Sequence, residues 1–151
     1  MPFKFKLSPV LRQRQITERQ KQRDYALTLA ALKDLQDQLT TLNQTVTETN
    51  TDLRTNRLTG PIDVHFLAAH RRYLLGVQRK AQDLATQILT AQKTAESARA
   101  ALAEAAKQTK VLEKLREKQQ QRWKEDADRK EMIALDEVAM QLTNDPMFND
   151  R

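Results

Sequence analysis

The stretch Thr59-Gly60-Pro61-Ile62-Asp63 decides the fold of this chain. Proline cannot donate the i→i−4 hydrogen bond of a helix, and glycine readily adopts the left-handed conformation that follows many helix ends. The other prolines lie at positions 2, 9 and 146, so long stretches on both sides of Gly60-Pro61 contain none. The sequence therefore predicts two long helices that reverse direction at this point, with Asp63 as the N-cap of the second.

Each predicted helix carries an apolar heptad. Steps of three and four residues are typical of the buried seam of a coiled coil. The seam positions are Tyr25, Thr28, Leu32, Leu35, Leu39, Leu42, Val46, Thr49 and Leu53 in the first helix, and Leu67, His70, Leu74, Val77, Ala81, Leu84, Ile88, Ala91, Ala95, Ala98, Leu102, Ala105 and Leu112 in the second. If the chain reverses at residue 60, residues equidistant from it pair, and Leu39 then meets the smaller Ala81. This complementarity favours an intramolecular antiparallel hairpin, with a domain-swapped or four-helix dimer as the alternative.

The predicted fold is all-α, a single antiparallel coiled-coil hairpin domain with unequal arms. We expect arm 1 over about 8–59, starting with Ser8 as N-cap and Pro9 in the first helical position, and a turn over 59–63. Arm 2 follows over about 63–143, and Asn144-Asp145-Pro146 ends it before a frayed tail over 144–151. Since Ser8 falls opposite Leu112, a projecting segment beyond 112 has no internal partner.

The projecting segment contains Trp123, the only tryptophan of the chain. An exposed aromatic on an unpaired helix indicates a docking surface. The alternative is that Phe3, Phe5 and Leu7 fold back over part of this segment, and the two interpretations are compatible.

The net charge of +6 is unevenly distributed. Residues 1–24 carry seven Lys/Arg against two acidic residues, and residues 107–131 carry nine against six. A hairpin would bring both stretches to one basic tip away from the turn, able to attract an acidic protein, nucleic acid or an anionic membrane. The plainer interpretation is the solvated surface of a coiled coil.

The residue types needed for catalysis do not form recognisable patterns. The chain has no cysteine, and His65 and His70 are five residues apart, which does not suit a helical metal site. Asp136-Glu137 is a surface pair without a cleft, and a hairpin offers no concave pocket. We predict a non-enzyme without cofactor, metal or small-molecule substrate. Without a membrane-spanning run or a signal-peptide core, a cytoplasmic location is expected.

Both ends of the chain resemble the flagellar export protein family known as FliJ. The N-terminal run Phe3-Lys4-Phe5-Lys6-Leu7-Ser8-Pro9-Val10-Leu11-Arg12 is similar to the opening of that family. The C-terminal resemblance comprises Leu112-Glu113-Lys114-Leu115-Arg116-Glu117, then Trp123 at a position that is usually aromatic, and Leu135-Asp136-Glu137. The helical pattern between them extends the resemblance over nearly the whole chain.

This resemblance implies a component of the flagellar type III export apparatus, cytoplasmic and peripherally associated with the inner membrane at the flagellar base. Its terminal end would insert into the export ATPase ring, promote assembly and activity, and link the ring to the membrane export gate; export chaperones are further implied partners. The implied ATPase-binding tip comprises Leu11, Arg12, Leu115, Arg116 and Trp123, and the implied gate-binding surface comprises Tyr73, Val77 and Leu84. The family's first-arm tyrosines are absent from Val46-Thr47-Glu48-Thr49-Asn50.

Two other functions compete with this interpretation. The equivalent stalk protein of a virulence type III secretion system would have the same shape, although the two ends favour the flagellar protein. A nucleic-acid-binding coiled coil would use the basic tip, but only Phe3, Phe5 and Trp123 are available there for base stacking, which disfavours it.

Overall fold

The computed structural model describes residues 1–144, and this part of the chain is helical without strands. Helix α1 spans Ser8–Asp52 and continues as a short π-helix over Leu53–Arg57, and helix α2 spans Val64–Thr143. The two helices pack against each other, which confirms the predicted all-α hairpin with a longer second helix. The chain divides into two compact units, which we call the turn unit (Arg19–Glu104) and the terminal unit (Met1–Glu18 with the chain from Ala105 onward).

The reversal follows the chemistry of its residues. At the end of the π-helix the Leu58 amide donates to the Leu53 carbonyl at 3.0 Å, and Gly60 then has a φ of +98°. That left-handed conformation is easy for glycine and costly for residues with a Cβ. Asp63 Oδ1 accepts hydrogen bonds from the amides of His65 at 3.0 Å and Phe66 at 3.4 Å, so its predicted role as N-cap of α2 is confirmed.

Helix α1 begins at Ser8, the residue at which the first arm was predicted to start, but the predicted N-cap is wrong by one residue. The Leu7 carbonyl accepts from the Leu11 amide at 2.9 Å, which makes Leu7 rather than Ser8 the N-cap. The cause is the turn that precedes the helix, in which the Ser8 amide donates to the Phe5 carbonyl at 3.1 Å. Pro9 thus occupies the second helical position, where a missing N–H costs nothing because no intrahelical acceptor exists.

The C-terminal end of α2 lies at the limit of the described chain. The Asn144 amide donates to the Met140 carbonyl at 3.1 Å, after the last helical residue, Thr143. Asp145 and Pro146, which we expected to close the helix, and the tail to residue 151 lie outside the described residues.

The seam of the turn unit follows the predicted heptads. Leu84 and Ala95 are buried, and the remaining predicted seam residues of this unit are half-buried. Across the seam, His70 Nε2 and Asn50 Oδ1 are 3.3 Å apart, and these two residues are equidistant from residue 60. The predicted pairing register is confirmed at this point.

Candidate protein interface

The core of the terminal unit is small and lies where α1 begins. Leu11 is 4% exposed, and it is accompanied by Ala105 and Thr109 of α2, which are also buried. The Thr109 hydroxyl donates to the Ala105 carbonyl at 3.1 Å, so burial leaves it satisfied. Thr109 follows Ala105 by four residues and precedes Leu112 by three, and this heptad spacing could have identified it from sequence despite its polarity.

The N-terminal segment packs across α2 and reaches Trp123. The rings of Phe3 and Trp123 are 6.2 Å apart between centroids and inclined by 51°, within the range of favourable aromatic pairs. Phe3 and Phe5 are half-buried, while Trp123 keeps 39% of its surface exposed. The predicted fold-back is confirmed for this contact, and Trp123 still presents an open face.

A basic and aromatic groove opens beside this contact. It has a volume of about 340 Å³ and is lined by Phe3, Lys4, Phe5, Ser8 and Arg116. Lys4 and Arg116 come from the two basic stretches that were predicted to meet, and none of the residues 1–144 that line the groove is acidic. Guanidinium and ammonium groups beside aromatic rings form a suitable site for a carboxylate from another molecule.

The five residues predicted as an ATPase-binding tip all belong to the terminal unit, but they occupy different depths. Leu11 is buried and Leu115 is half-buried, so they support the surface from beneath. Arg12 and Arg116 are exposed, and Trp123 is partly exposed. The neighbouring Arg14 donates from its guanidinium to Gln108 Oε1 and so joins α1 to α2.

Farther along α2 than the N-terminal segment reaches, the apolar side chains of the helix are exposed. We call residues 132–142 the distal segment; its large apolar side chains are more than half exposed. They are Met132 (65%), Ile133 (52%), Leu135 (62%), Val138 (53%), Met140 (68%) and Leu142 (57%). At 3.6 residues per turn, Leu135, Val138 and Leu142 share one face, whereas Ile133 and Met140 lie on the opposite face. The only charged residues of the segment are Asp136 and Glu137.

The three residues predicted to bind the export gate lie on α2 in the turn unit. Tyr73 is 40% exposed, Val77 is half-buried, and Leu84 is only 5% exposed because it belongs to the seam. Tyr73 can therefore meet a partner directly, whereas Leu84 is available only as support.

An aromatic row that sequence reasoning missed extends from Tyr73 toward the turn. Phe66, His70 and Tyr73 follow one another at helical spacing, with 6.4 Å between the ring centroids of successive members. The Arg57 guanidinium lies 4.5 Å from the centroid of Phe66, a cation–π distance. The i, i+4, i+7 spacing of these rings is the sequence signal that could have revealed the row.

Metal sites and membrane-spanning helices are two other features that a chain of this kind could carry. Among residues 1–144, no group of three or more His, Cys, Asp or Glu side chains is placed to hold a metal ion. No helix in the same part of the chain combines the length and apolarity needed to cross a bilayer.

Comparison with known proteins places the chain in a family. A profile described as "Flagellar FliJ protein" matches residues 3–147, which is nearly the whole length. No curated protein and no solved structure matches the chain significantly. Because the profile spans both arms of the hairpin and both ends singled out above, the chain belongs to the flagellar FliJ protein family.

Proposed function

We propose that this protein is a non-enzymatic, stalk-like component of the flagellar type III export apparatus. In this proposal its terminal unit inserts into the export ATPase ring and promotes the assembly and activity of the ring, and its turn unit contacts the membrane export gate. Family membership supports a role in flagellar export, and it favours the flagellar apparatus over a virulence secretion system. Export chaperones are an additional class of partner that the family resemblance implies.

The observation that carries the proposal is the distal segment. Large apolar side chains lie on two opposite faces of this segment, although Asp136 and Glu137 flank Ile133. A flat groove could cover only one of the two faces that hold Leu135 and Ile133. An enclosing channel satisfies both faces, and the central opening of a ring is such a channel. The segment lacks the Lys and Arg that membrane-surface helices carry on their polar face, which argues for a protein partner rather than lipid.

The basic groove supplies the second contact in this proposal. Lys4 and Arg116 line the groove, and Arg12 is an exposed basic residue of the same unit. We therefore expect acidic side chains of the ATPase to bind there. The open face of Trp123 would add a rigid apolar anchor, the residue type most enriched at binding hot spots.

For the export gate we propose the exposed Tyr73 as the direct contact. Its neighbours Phe66 and His70 hold the ring in a row, and Val77 and Leu84 support the helix from the seam. A Tyr73→Ala variant tests this assignment by its binding to the purified cytoplasmic part of the gate.

The proposal is tested by shortening the chain after Glu131. This variant keeps the contact between Phe3 and Trp123 but removes the distal segment, whose side chains contribute no core to the described structure. We expect an unchanged unfolding transition of the hairpin, and stimulation of ATP hydrolysis by the purified export ATPase reduced to near the basal rate.

A triple substitution refines the same test without changing chain length. Leu135→Ser, Val138→Ser and Leu142→Ser each remove an exposed apolar side chain, and we expect each to cost about 1–2 kcal/mol of ATPase binding. The matched control changes three exposed leucines of the turn unit, Leu27, Leu29 and Leu89, to serine. Full stimulation by the distal variant, or equal loss in the control, would contradict the proposal.

A further inference from the structure

The turn between the helices exposes three aliphatic side chains. Leu58 is 45% exposed, Ile62 56% and Val64 73%. They flank Pro61 and Gly60, and Gly60 has a left-handed backbone conformation. These aliphatic side chains stay exposed in the described part of the chain. Nearby half-buried seam positions are instead occupied by polar residues such as Thr49 and His70. Exposed aliphatic residues grouped at a reversal of the chain indicate a contact surface.

The same region has a local excess of positive charge. Residues 53–72, which we call the turn end, contain four arginines, Arg54, Arg57, Arg71 and Arg72, against one acidic residue, Asp63. All four arginines are exposed, and Asp63 is occupied in capping α2. The remainder of 25–106 has five basic against seven acidic residues, so the positive charge belongs to the turn end and not to the hairpin shaft.

We propose that the turn end binds an anionic lipid surface. Leu58, Ile62 and Val64 would enter the boundary between head groups and acyl chains, and the arginines would bind lipid phosphates through their planar guanidinium groups. The insertion is shallow, because the backbone groups of the turn require water or a polar partner.

Two features favour lipid over an acidic protein groove. The exposed aliphatic residues lie at a reversal of the chain, and their entry into a soft interface requires no matching cavity. The arginines flank the aliphatic residues on both sides in sequence, as expected of a surface that meets a uniform sheet of negative charge. This inference goes beyond the proposed function, since it requires neither the ATPase nor the gate.

The absence of cysteine allows a direct test with single labels. The substitution Ile62→Cys, labelled with an environment-sensitive fluorophore, is mixed with vesicles of phosphatidylglycerol and phosphatidylcholine or of phosphatidylcholine alone. We expect a blue shift and a several-fold rise in emission with the anionic vesicles only, weakened by added salt. The matched control is Val10→Cys, an exposed aliphatic position of the basic terminal unit, where emission should stay unchanged.

Charge variants provide the second measurement. Changing Arg71 and Arg72 to glutamine should lower the vesicle partition coefficient about thirtyfold, whereas Lys93→Gln with Arg99→Gln, the same change of charge far along α2, should leave it within about twofold. The proposal is overturned if the label at position 62 ignores anionic vesicles, or if the label at position 10 responds instead. A response at position 62 to the soluble part of the export gate, without a response to vesicles, would identify a protein partner and also reject the lipid surface.

Discussion

Leucines are covered in one part of α2 and exposed to solvent in another part of the same helix. In residues 64–112 the leucines at seam spacing, such as Leu74, Leu84 and Leu102, are buried or half-buried. In the distal segment Leu135 and Leu142 are 62% and 57% exposed. The difference lies in the presence or absence of a partner helix, because both parts are regular α-helix. We propose that another protein covers the large apolar residues of this exposed helix.

The transition between the covered and uncovered parts is gradual. Leu112 and Leu115 are half-buried, and Trp123 is covered on one side by Phe3 of the N-terminal segment. Around Trp123 the exposed side of α2 carries a local side-chain contact, in which Gln121 Nε2 donates to Glu125 Oε1 at 3.0 Å. Such i, i+4 contacts contribute only about 0.2–0.5 kcal/mol each, so the uncovered helix is held weakly.

We expect the largest difference between the two parts of α2 in the free energy of unfolding of two leucine-to-alanine variants. Leu84→Ala removes a 5% exposed side chain from the seam and should lower the free energy of unfolding by about 2–5 kcal/mol. Leu135→Ala removes a side chain that contacts mostly water and should stay within about 0.5 kcal/mol of wild type. Urea denaturation followed by circular dichroism measures both. A large effect of Leu135→Ala would show that the distal segment is packed within the isolated protein.

A smaller effect on stability is expected at Trp123, where the N-terminal segment makes its contact with α2. Phe3→Ala removes the ring beside Trp123, and we expect a loss of about 0.5–1.5 kcal/mol of stability together with a red shift of tryptophan emission. The single tryptophan makes the emission specific to this site. Phe66→Ala, which removes a half-buried ring of the turn unit, is the matched control and should leave the emission unchanged. No shift with Phe3→Ala would contradict the described contact.

The smallest effect concerns the uncovered helix itself. Glu125→Ala removes the acceptor for Gln121 and should cost about 0.2–0.5 kcal/mol of local helix stability. Hydrogen exchange measures it as faster exchange of the neighbouring amides, with no change in the covered part of α2. Equal acceleration in both parts would mean that α2 unfolds as one cooperative unit.

Much of this structure can be predicted from the sequence, and the physical reasons differ from one region to another. The heptads predicted the seam because burial in a two-helix pair depends almost only on spacing, and Gly60-Pro61 with Asp63 predicted the reversal because few residues satisfy those backbone needs. Thr109 was missed because it is polar, and Leu7 was missed as N-cap because a local backbone turn, not a capping side chain, determines the start. The burial of Leu11 escaped prediction, since it lies outside the predicted heptad and differs from exposed leucines only in what packs on it. The heptad did place Leu84 in the seam, and this burial limits the role that the family resemblance implied for it at the gate.

We propose that the export ATPase encloses the distal segment on opposite faces. Photo-crosslinking amino acids placed singly at Ile133 and at Leu135 test it most directly, with Leu89 as an exposed control position in the turn unit. Mixed with the purified ATPase and nucleotide, the variants at positions 133 and 135 should both crosslink to the ATPase with similar yields, and the variant at 89 should not. Crosslinking from one face alone would indicate a flat groove, and crosslinking from neither would contradict insertion of this segment.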